Sequence, residues 1–345
     1  MRNKPIFGFY GSWARFRNGK GRCDVDDINP QLCTHALYAF AQVDHSGSIE
    51  CTDEDGDAMH RFNSLRDRNS GLKTLISVGG ANNGGYAFST VAARPQLRET
   101  FARNVVNFCD TYGFNGVDID WEFPATASDR GNFVQLLAAL ASKMHGRLIL
   151  TTSVGVNREY DVAGIARHVD YILLMTYDYN GSWDSYTGHN APLSWGRVES
   201  DYQKKLNVKE SVSYWVSGGA PRSKLIVGLA AYGRTFTLRN SGSCGTRVVA
   251  TGAGRKGPFT GEAGTLAYYE VKDAFSSGRI WDSEQCVPYA VSGDQWVSYD
   301  DPQSIRLKCE YINSEGLGGA MMWSIDQDEF QEDRFTLLRT VAQCL

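Results

Sequence analysis

The sequence predicts an α/β fold, a (β/α)8 TIM barrel with a small α+β insertion between its seventh and eighth strands. Three observations lead there. Eight short runs are apolar along their length, the pattern of parallel strands buried on both faces. Segments with helical spacing of apolar residues alternate with them, so the chain reads as successive βαβ units. One interval, from Ala231 to Gly318, is far longer than a barrel unit needs. Eight units of this kind close into a barrel with right-handed crossovers. The alternative is an open, doubly wound sheet, but no Gly-rich phosphate turn follows any strand.

Residues 5–10 form the first strand, followed by a loop through Trp13, Arg17, Gly19 and Gly21. Residues 34–43 are the second strand. Residues 53–69 have helical spacing, with Met59, Phe62 and Leu65 inward and Gly71 as the stop. The third strand is 73–80 and ends in glycines. A helix over 94–112 has Pro95 in its first turn and Gly113 at its end. The fourth strand lies in 114–124, a helix in 129–145 and the fifth strand in 147–154. A short helical piece over 160–168 leads to the sixth strand, 169–177. Then come a helix at 208–217, closed by Gly218 and Gly219, and the seventh strand at 224–231. The eighth strand is 318–323, between helices at 302–314 and 331–343. The barrel is thus expected from 1–234 and 299–345. Residues 235–298, rich in Gly, Thr and Tyr, are expected to form a lobe at the strand-end face, walling one side of a cleft.

The fourth strand carries the chemistry. Val117, Ile119 and Trp121 alternate with Asp118, Asp120 and Glu122, so one face is apolar and the other carries three carboxylates. Burying that many acids is costly, and their mutual repulsion raises the proton affinity of at least one. Such a group suits general acid work near neutral pH. The plain alternative is an acidic edge strand in water, for which Val117, Ile119 and Trp121 are a poor solvent face.

Composition narrows the partners. A net charge of −4 gives no electrostatic case for nucleic acid or an anionic membrane, and no apolar run is long enough to span a bilayer. The aromatic content of 12%, with 17 Tyr and 8 Trp, fits a carbohydrate groove. Histidine is scarce and the cysteine spacings match no zinc pattern, so neither metal nor cofactor is expected. The eight cysteines, Cys23, Cys33, Cys51, Cys109, Cys244, Cys286, Cys309 and Cys344, point to disulfides and an oxidising compartment. Their connectivity stays open; Cys244 and Cys286 are a candidate pair within the insertion. Met1-Arg2-Asn3-Lys4 runs into Pro5-Ile6-Phe7 without the apolar region of a leader. The expectation is an extracellular, monomeric protein whose leader is not part of this sequence, with no carbohydrate-binding appendage after Leu345.

Barrel enzymes place their sites at the carboxyl ends of the strands. Here those ends hold Tyr10 and Trp13, Ser77 to Gly80, the three acids, Met175 to Asp178, Tyr232 to Arg234, and Met322 with Trp323. Several of these pieces resemble glycoside hydrolase family 18 of the animal chitinase type. Asn115-x-x-Asp118-x-Asp120-x-Glu122 is similar to its Asp-x-x-Asp-x-Asp-x-Glu strand, with Asn at the first position. Ser77-x-Gly79-Gly80, Met175-Thr176-Tyr177-Asp178, the run from Asn180 to Trp183, Tyr232-Gly233-Arg234 and Gly318 to Trp323 resemble further pieces, spread over nearly the whole chain.

The resemblance implies hydrolysis of chitin or chitooligosaccharides with retention, the substrate's own 2-acetamido oxygen acting as nucleophile. Glu122 would be the general acid and base, Asp120 the partner of the acetamido N–H, Asp118 its modulator, and Tyr177 the group that orients the carbonyl. Trp323 would floor the reacting sugar, with Trp13, Trp183, Asp178, Met175, Tyr232, Arg247, Gly80 and Ala81 as further substrate contacts. Ala81 departs from the usual Trp, which implies weaker stacking of an acceptor sugar. Asn115 departs from Asp, with a shifted pH optimum as the expectation. Phe9 departs from Tyr, and the strand-one and later cysteine positions are Gly8 and Lys272, so only Cys33 matches that framework. The sequon Asn180-Gly181-Ser182 is expected to be unmodified, because a glycan there would obstruct the cleft. Other readings are a chitinase-like lectin, an endo-β-N-acetylglucosaminidase, and a metal-dependent hydrolase; the last lacks His ligands near the acids.

Overall fold

Strands apolar on both faces need cover on both sides, and a closed barrel supplies it with helices outside and packed side chains within. The computed structural model describes residues 4–83, 85–144, 146–156 and 158–345. Met1 to Asn3, on which the leader expectation rests, and His145, the expected end of the 129–145 helix, lie outside the described residues. Among the described residues, eight parallel strands close the barrel: β1 (Ile6–Gly11), β2 (His35–Val43), β3 (Lys73–Gly79), β4 (Gly116–Asp120), β5 (Ile149–Gly155), β6 (Tyr171–Met175), β7 (Leu225–Ala230) and β8 (Gly319–Trp323). Closure comes from β1, which pairs with β8 through Phe7 and Met321 and with β2 through Phe9 and Leu37.

The alternation in β4 sorts as the sequence requires. Val117, Ile119 and Trp121 join the outer core between sheet and helices. Asp118 and Asp120 are buried on the other, inward face, where Phe7, Phe9, Leu75, Leu173, Ile226 and Met321 fill the barrel.

The helices of the barrel are α1 (Asp53–Asn63), α2 (Gly85–Ala93), α3 (Pro95–Tyr112), α4 (Ala127–Met144), α5 (Val162–His168), α6 (Val208–Ser217), α7 (Pro302–Ser314) and α8 (Thr336–Cys344), and the lobe adds a short helix, Tyr268–Ala274. Pro95 opens α3, and Gly113 at φ 81° closes it in the left-handed conformation that glycine adopts without strain. The expected 53–69 helix breaks at Ser64, after which Leu65–Arg68 makes a separate turn. Helix α2, which buries Phe88 and Val91, has no counterpart in the sequence reading. The terminal helix starts at Thr336 rather than at 331, because Glu332, Asp333 and Phe335 all adopt positive φ. Its first turn is then capped from a distance, by Leu337 N–H and Leu338 N–H donating to the buried Asp328 carboxylate.

The long interval forms a second sheet. Its antiparallel strands lie in the order Ala250–Ala253, Tyr232–Leu238, Gln295–Ser298, Val287–Ser292 and Arg279–Asp282, with Thr265–Ala267 also paired to Tyr232–Leu238. Tyr232 follows β7 almost directly, so the lobe grows out of the carboxyl end of a barrel strand. The pairing considered for Cys244 and Cys286 is not made. Both are free thiols, and Cys286, at φ 58° after the strand Arg279–Asp282, turns its sulfur to the Ser283 carbonyl at 3.7 Å. A different pair is in contact: the buried Cys309 of α7 shares a side-chain hydrogen bond with Cys344 at the end of α8.

Candidate active site

The site is built around the end of β4. Asp118 is fully buried and held by three hydroxyls: Ser77 Oγ and Ser153 Oγ each donate to Oδ2 at 2.9 Å, and Thr151 Oγ1 donates to Oδ1 at 2.7 Å. These donors come from β3 and β5, the two neighbours of β4, so barrel closure itself supplies them. Burial pushes the Asp118 carboxyl up to about 6, and the three hydrogen bonds work against that rise. Asp120 has no such support. Its Oδ1 is buried with no hydrogen-bond partner among the described residues, and burial together with Glu122 and Asp118 drives its proton affinity well above the ordinary range.

Glu122 lies two residues beyond Asp120, past the last residue of β4 and at the edge of the cleft. Burial raises its carboxyl to about 7, Asp178 adds to the rise, and Arg158 opposes it. A carboxylic acid still protonated near neutrality can serve as a general acid and, once ionised, as a base.

The cleft encloses about 430 Å³. Its floor is aromatic: Phe40 stacks on Trp323 with ring centres 5.7 Å apart, Phe9 meets Trp323 at 5.3 Å, and Trp13 stacks on Phe40 at 6.1 Å. Gly11 makes room for this arrangement, since a Cβ there would approach the Trp13 ring to 2.8 Å. On the far side Asp178 accepts hydrogen bonds at Oδ1 from Tyr232 OH at 2.6 Å and Arg234 Nε at 2.7 Å. Asp178 adopts φ 58° and its N–H donates to Asn190 Oδ1 at 2.9 Å. Tyr177 is buried between these walls, its hydroxyl 3.7 Å from Met321 Sδ.

Of the residues singled out from the sequence, Asp120, Glu122, Tyr177, Trp323, Trp13, Asp178, Met175, Tyr232 and Ala81 line this one cleft. Asp118 lies directly beneath them. Gly80 sits behind, where a Cβ would strike Phe40 at 2.6 Å. Trp183 is 60% exposed with the Arg234 guanidinium 5.1 Å from its ring centre, so it stands at the cleft's outer rim. Arg247 is elsewhere: it donates to Asn180 Oδ1 at 3.0 Å and to Glu199 Oε1 at 2.7 Å, and does not line the cleft. Arg234, at the start of the lobe, lines the cleft. Asn115 also lies away, at the amino end of β4, accepting from the Thr74 N–H at 2.9 Å and from Arg66 at 3.2 Å. These contacts do not reach the acids, so they lend no support to the expected influence of Asn115 on the pH optimum. The Asn180 side chain is buried and donates to the His189 carbonyl at 2.9 Å, which leaves no room for a glycan.

Lining residues that sequence reasoning missed include Phe40, Gln42 and Glu262, while Arg234 was named at a strand end without a role. Phe40 and Gln42 were legible only as members of a buried strand. Arg234 follows the seventh strand by a few residues, and its pairing with Asp178 could be inferred only with both strand ends placed.

A closed barrel with a cluster of proton-holding carboxyls over an aromatic floor has the chemistry of a glycoside hydrolase. The family described as Glycosyl hydrolases family 18 matches residues 5–328. This chain belongs to that family, and with it to the enzymes that cleave glycosidic bonds. It is 38% identical to chitotriosidase-1 of Mus musculus over 96% of this chain and 76% of that protein. Among solved structures, the group IV chitinase of Ostrinia furnacalis in complex with allosamidin superposes with a TM-score of 0.94 at 38% identity, over 99% of this chain and 98% of the other. Human YKL-39, described as a pseudo-chitinase with retained chitooligosaccharide binding, superposes at 0.93 with 31% identity, over 99% of both chains.

Proposed function

We propose that this chain hydrolyses β-1,4-linked N-acetylglucosamine polymers and oligomers with retention of configuration, by substrate assistance. The observation that carries the reading is the origin of Asp120 and Glu122 from one strand end, with Asp120 Oδ1 unpartnered beside the acid. A double displacement through an enzyme nucleophile needs two carboxyls flanking the scissile bond about 5–5.5 Å apart. Two acids from one strand end share a side of that bond. The nucleophile is then the acetamido oxygen of the sugar over Trp323, which forms a bond to the anomeric carbon as the glycosidic C–O bond breaks.

Glu122 gives its proton to the departing oxygen and later takes one from the attacking water. Asp120 Oδ1 accepts from the acetamido N–H and offsets the oxazolinium charge. Asp118, held by its three hydroxyls, keeps Asp120 in place and shares its proton. Tyr177 directs the acetamido carbonyl. Ala81, where an aromatic would stack an acceptor sugar, favours transfer to water over transfer to a second sugar. The second reading is a carbohydrate-binding protein without catalysis, supported by the likeness to YKL-39; the raised, cleft-facing Glu122 favours the enzyme. The linear aromatic floor favours a chitin chain over a branched N-glycan.

The same proposal takes residues 235–298 as an insertion lobe on the barrel of 1–234 and 299–345. It further takes the protein as an extracellular monomer that binds neither nucleic acid nor membrane. Supporting this are the net charge of −4, the absence among the described residues of a helix long and apolar enough to cross a membrane, and the contact between the Cys309 and Cys344 thiols, which an oxidising compartment would join. Digestion of chitohexaose, with the anomers of the products followed by NMR, tests the activity. Initial products of the β-anomer support it. Intact substrate, or α-anomers, contradicts it.

A further inference from the structure

Arg158 stands apart from the roles assigned above. It lies shortly after β5, and its described neighbours are held by contacts of their own. Glu159 pairs with Arg130 at 3.2 Å. The Gly155 N–H donates to the Tyr160 hydroxyl at 2.9 Å, and the Tyr160 N–H donates to the Tyr214 hydroxyl at 3.0 Å. The Arg158 guanidinium carbon rests 4.6 Å from the centre of the Phe123 ring, and Phe123 is the residue directly after Glu122. Gly155 backs the same ring so tightly that a Cβ there would come within 2.5 Å of it. A guanidinium over an aromatic face is attracted to it, and its rigid plane loses little freedom in stacking.

The charged and titratable groups around Glu122 come from several elements. Asp120 comes from β4, Tyr177 and Asp178 follow β6, and Tyr160 follows β5. The lobe's cation, Arg234, is bonded to Asp178. Among the described residues, Arg158 is the cation stacked on the residue that follows Glu122. We propose that Arg158 is a positioning residue for the acid: clamped on the Phe123 ring, it holds a positive charge beside the Glu122 carboxyl and favours the carboxylate left when the proton passes to the departing oxygen. It does so without touching the substrate. Asp178 opposes it from across the cleft, so the two residues set the working range of the acid between them. The inference rests on the assignment of Glu122 as the acid.

The test compares Arg158→Met, which keeps a stem on the ring and removes the charge, with Arg158→Lys, which keeps the charge. The readout is the pH profile of kcat/KM on a soluble chitooligosaccharide. The Met variant should carry its alkaline limb upward by roughly half a pH unit or more, with KM little changed, while the Lys variant tracks the parent. Superposable alkaline limbs for the Met variant and the parent would overturn the proposal, as would a Lys variant shifted as far as the Met variant. Arg158 is exposed, so both variants should melt with the parent. If the unsubstituted protein fails to cleave, the proposed activity falls and the Arg158 assignment is read directly from the carboxyl carbon of Glu122 by NMR. An upward-shifted titration in Arg158→Met supports it, and coincident titrations refute it.

Discussion

Among the places in this molecule that bury carboxylates, two solve the problem in opposite ways. Beside α7, Asp300 accepts from Lys308 Nζ at 2.7 Å on both oxygens and from Ser304 Oγ at 2.7 Å, with the lysine and aspartate side chains 0% and 1% exposed. At the end of β4, Asp118 has hydroxyls for partners and no cation, and Asp120 Oδ1 has no partner among the described residues. A buried acid with a lysine is a fixed ion pair that locks the lobe's last strand to α7. A buried cluster without one keeps its protons and is ready to move them. Burial is common to both, so burial does not separate structure from function. Nor does counter-charge alone, since Asp328 is buried without a cation but is satisfied by backbone N–H groups; the unpartnered oxygen of Asp120 sets the β4 site apart.

The largest effect expected from breaking the comparison is at Glu122. Glu122→Gln preserves size and removes the proton, so kcat should fall by about 10²–10⁴-fold or more while chitooligosaccharide binding is kept. Turnover and calorimetric affinity on the same preparation check both halves. At the other site the sign reverses. Lys308→Ala strands a buried carboxylate and should cost about 3–5 kcal/mol of stability, with kcat per folded molecule unchanged. Replacing both partners by apolar residues should recover most of that loss, as denaturant titration would show.

A smaller effect concerns pH and stability. The Glu122 carboxyl is raised from 4.5 to about 7 by folding, so the folded state holds its proton more tightly than the unfolded chain does. That contribution is fully present below about pH 4.5 and is lost as pH rises through about 7. Glu122→Gln, which cannot ionise, should therefore melt above the parent at pH 8, and the gap should close toward pH 4. The smallest effect is expected at Asn115. Its amide lies at the far end of β4, bonded to Thr74 and Arg66, so Asn115→Asp should leave the pH profile of activity in place.

Much of this was legible in the sequence. Strands apolar on both faces specify a parallel barrel, and a period of two through Val117, Asp118, Ile119 and Asp120 states which face each residue takes. What stayed hidden depended on contacts between distant segments. Phe40 reads as core until β2 is seen to end under Trp323. Arg247 and Arg234 both stand near the insertion, and only the folded register gives Asp178 to Arg234 and Asn180 to Arg247. Helix α2 has little amphipathic signal because most of its residues are small and none is charged, and it follows glycines that read as loop. The start of α8 moved because three residues with positive φ precede it, and no propensity foretells that run. The thiol contact between Cys309 and Cys344 needed α7 and α8 to be packed side by side.

The most direct test of substrate assistance is to offer the protein a chitooligosaccharide whose acetyl group is missing from the sugar seated over Trp323. Such a chain keeps the aromatic floor formed by Trp13, Phe40 and Trp323, so it should still bind. An amine cannot close an oxazolinium ring, and in the proposed mechanism Asp118 and Asp120 lie on the acid's side of the bond. No cleavage after a glucosamine unit is the predicted result, while a thiazoline mimic of the cyclised species should compete tightly. Efficient cleavage after glucosamine would make an enzyme carboxylate the nucleophile and contradict the mechanism.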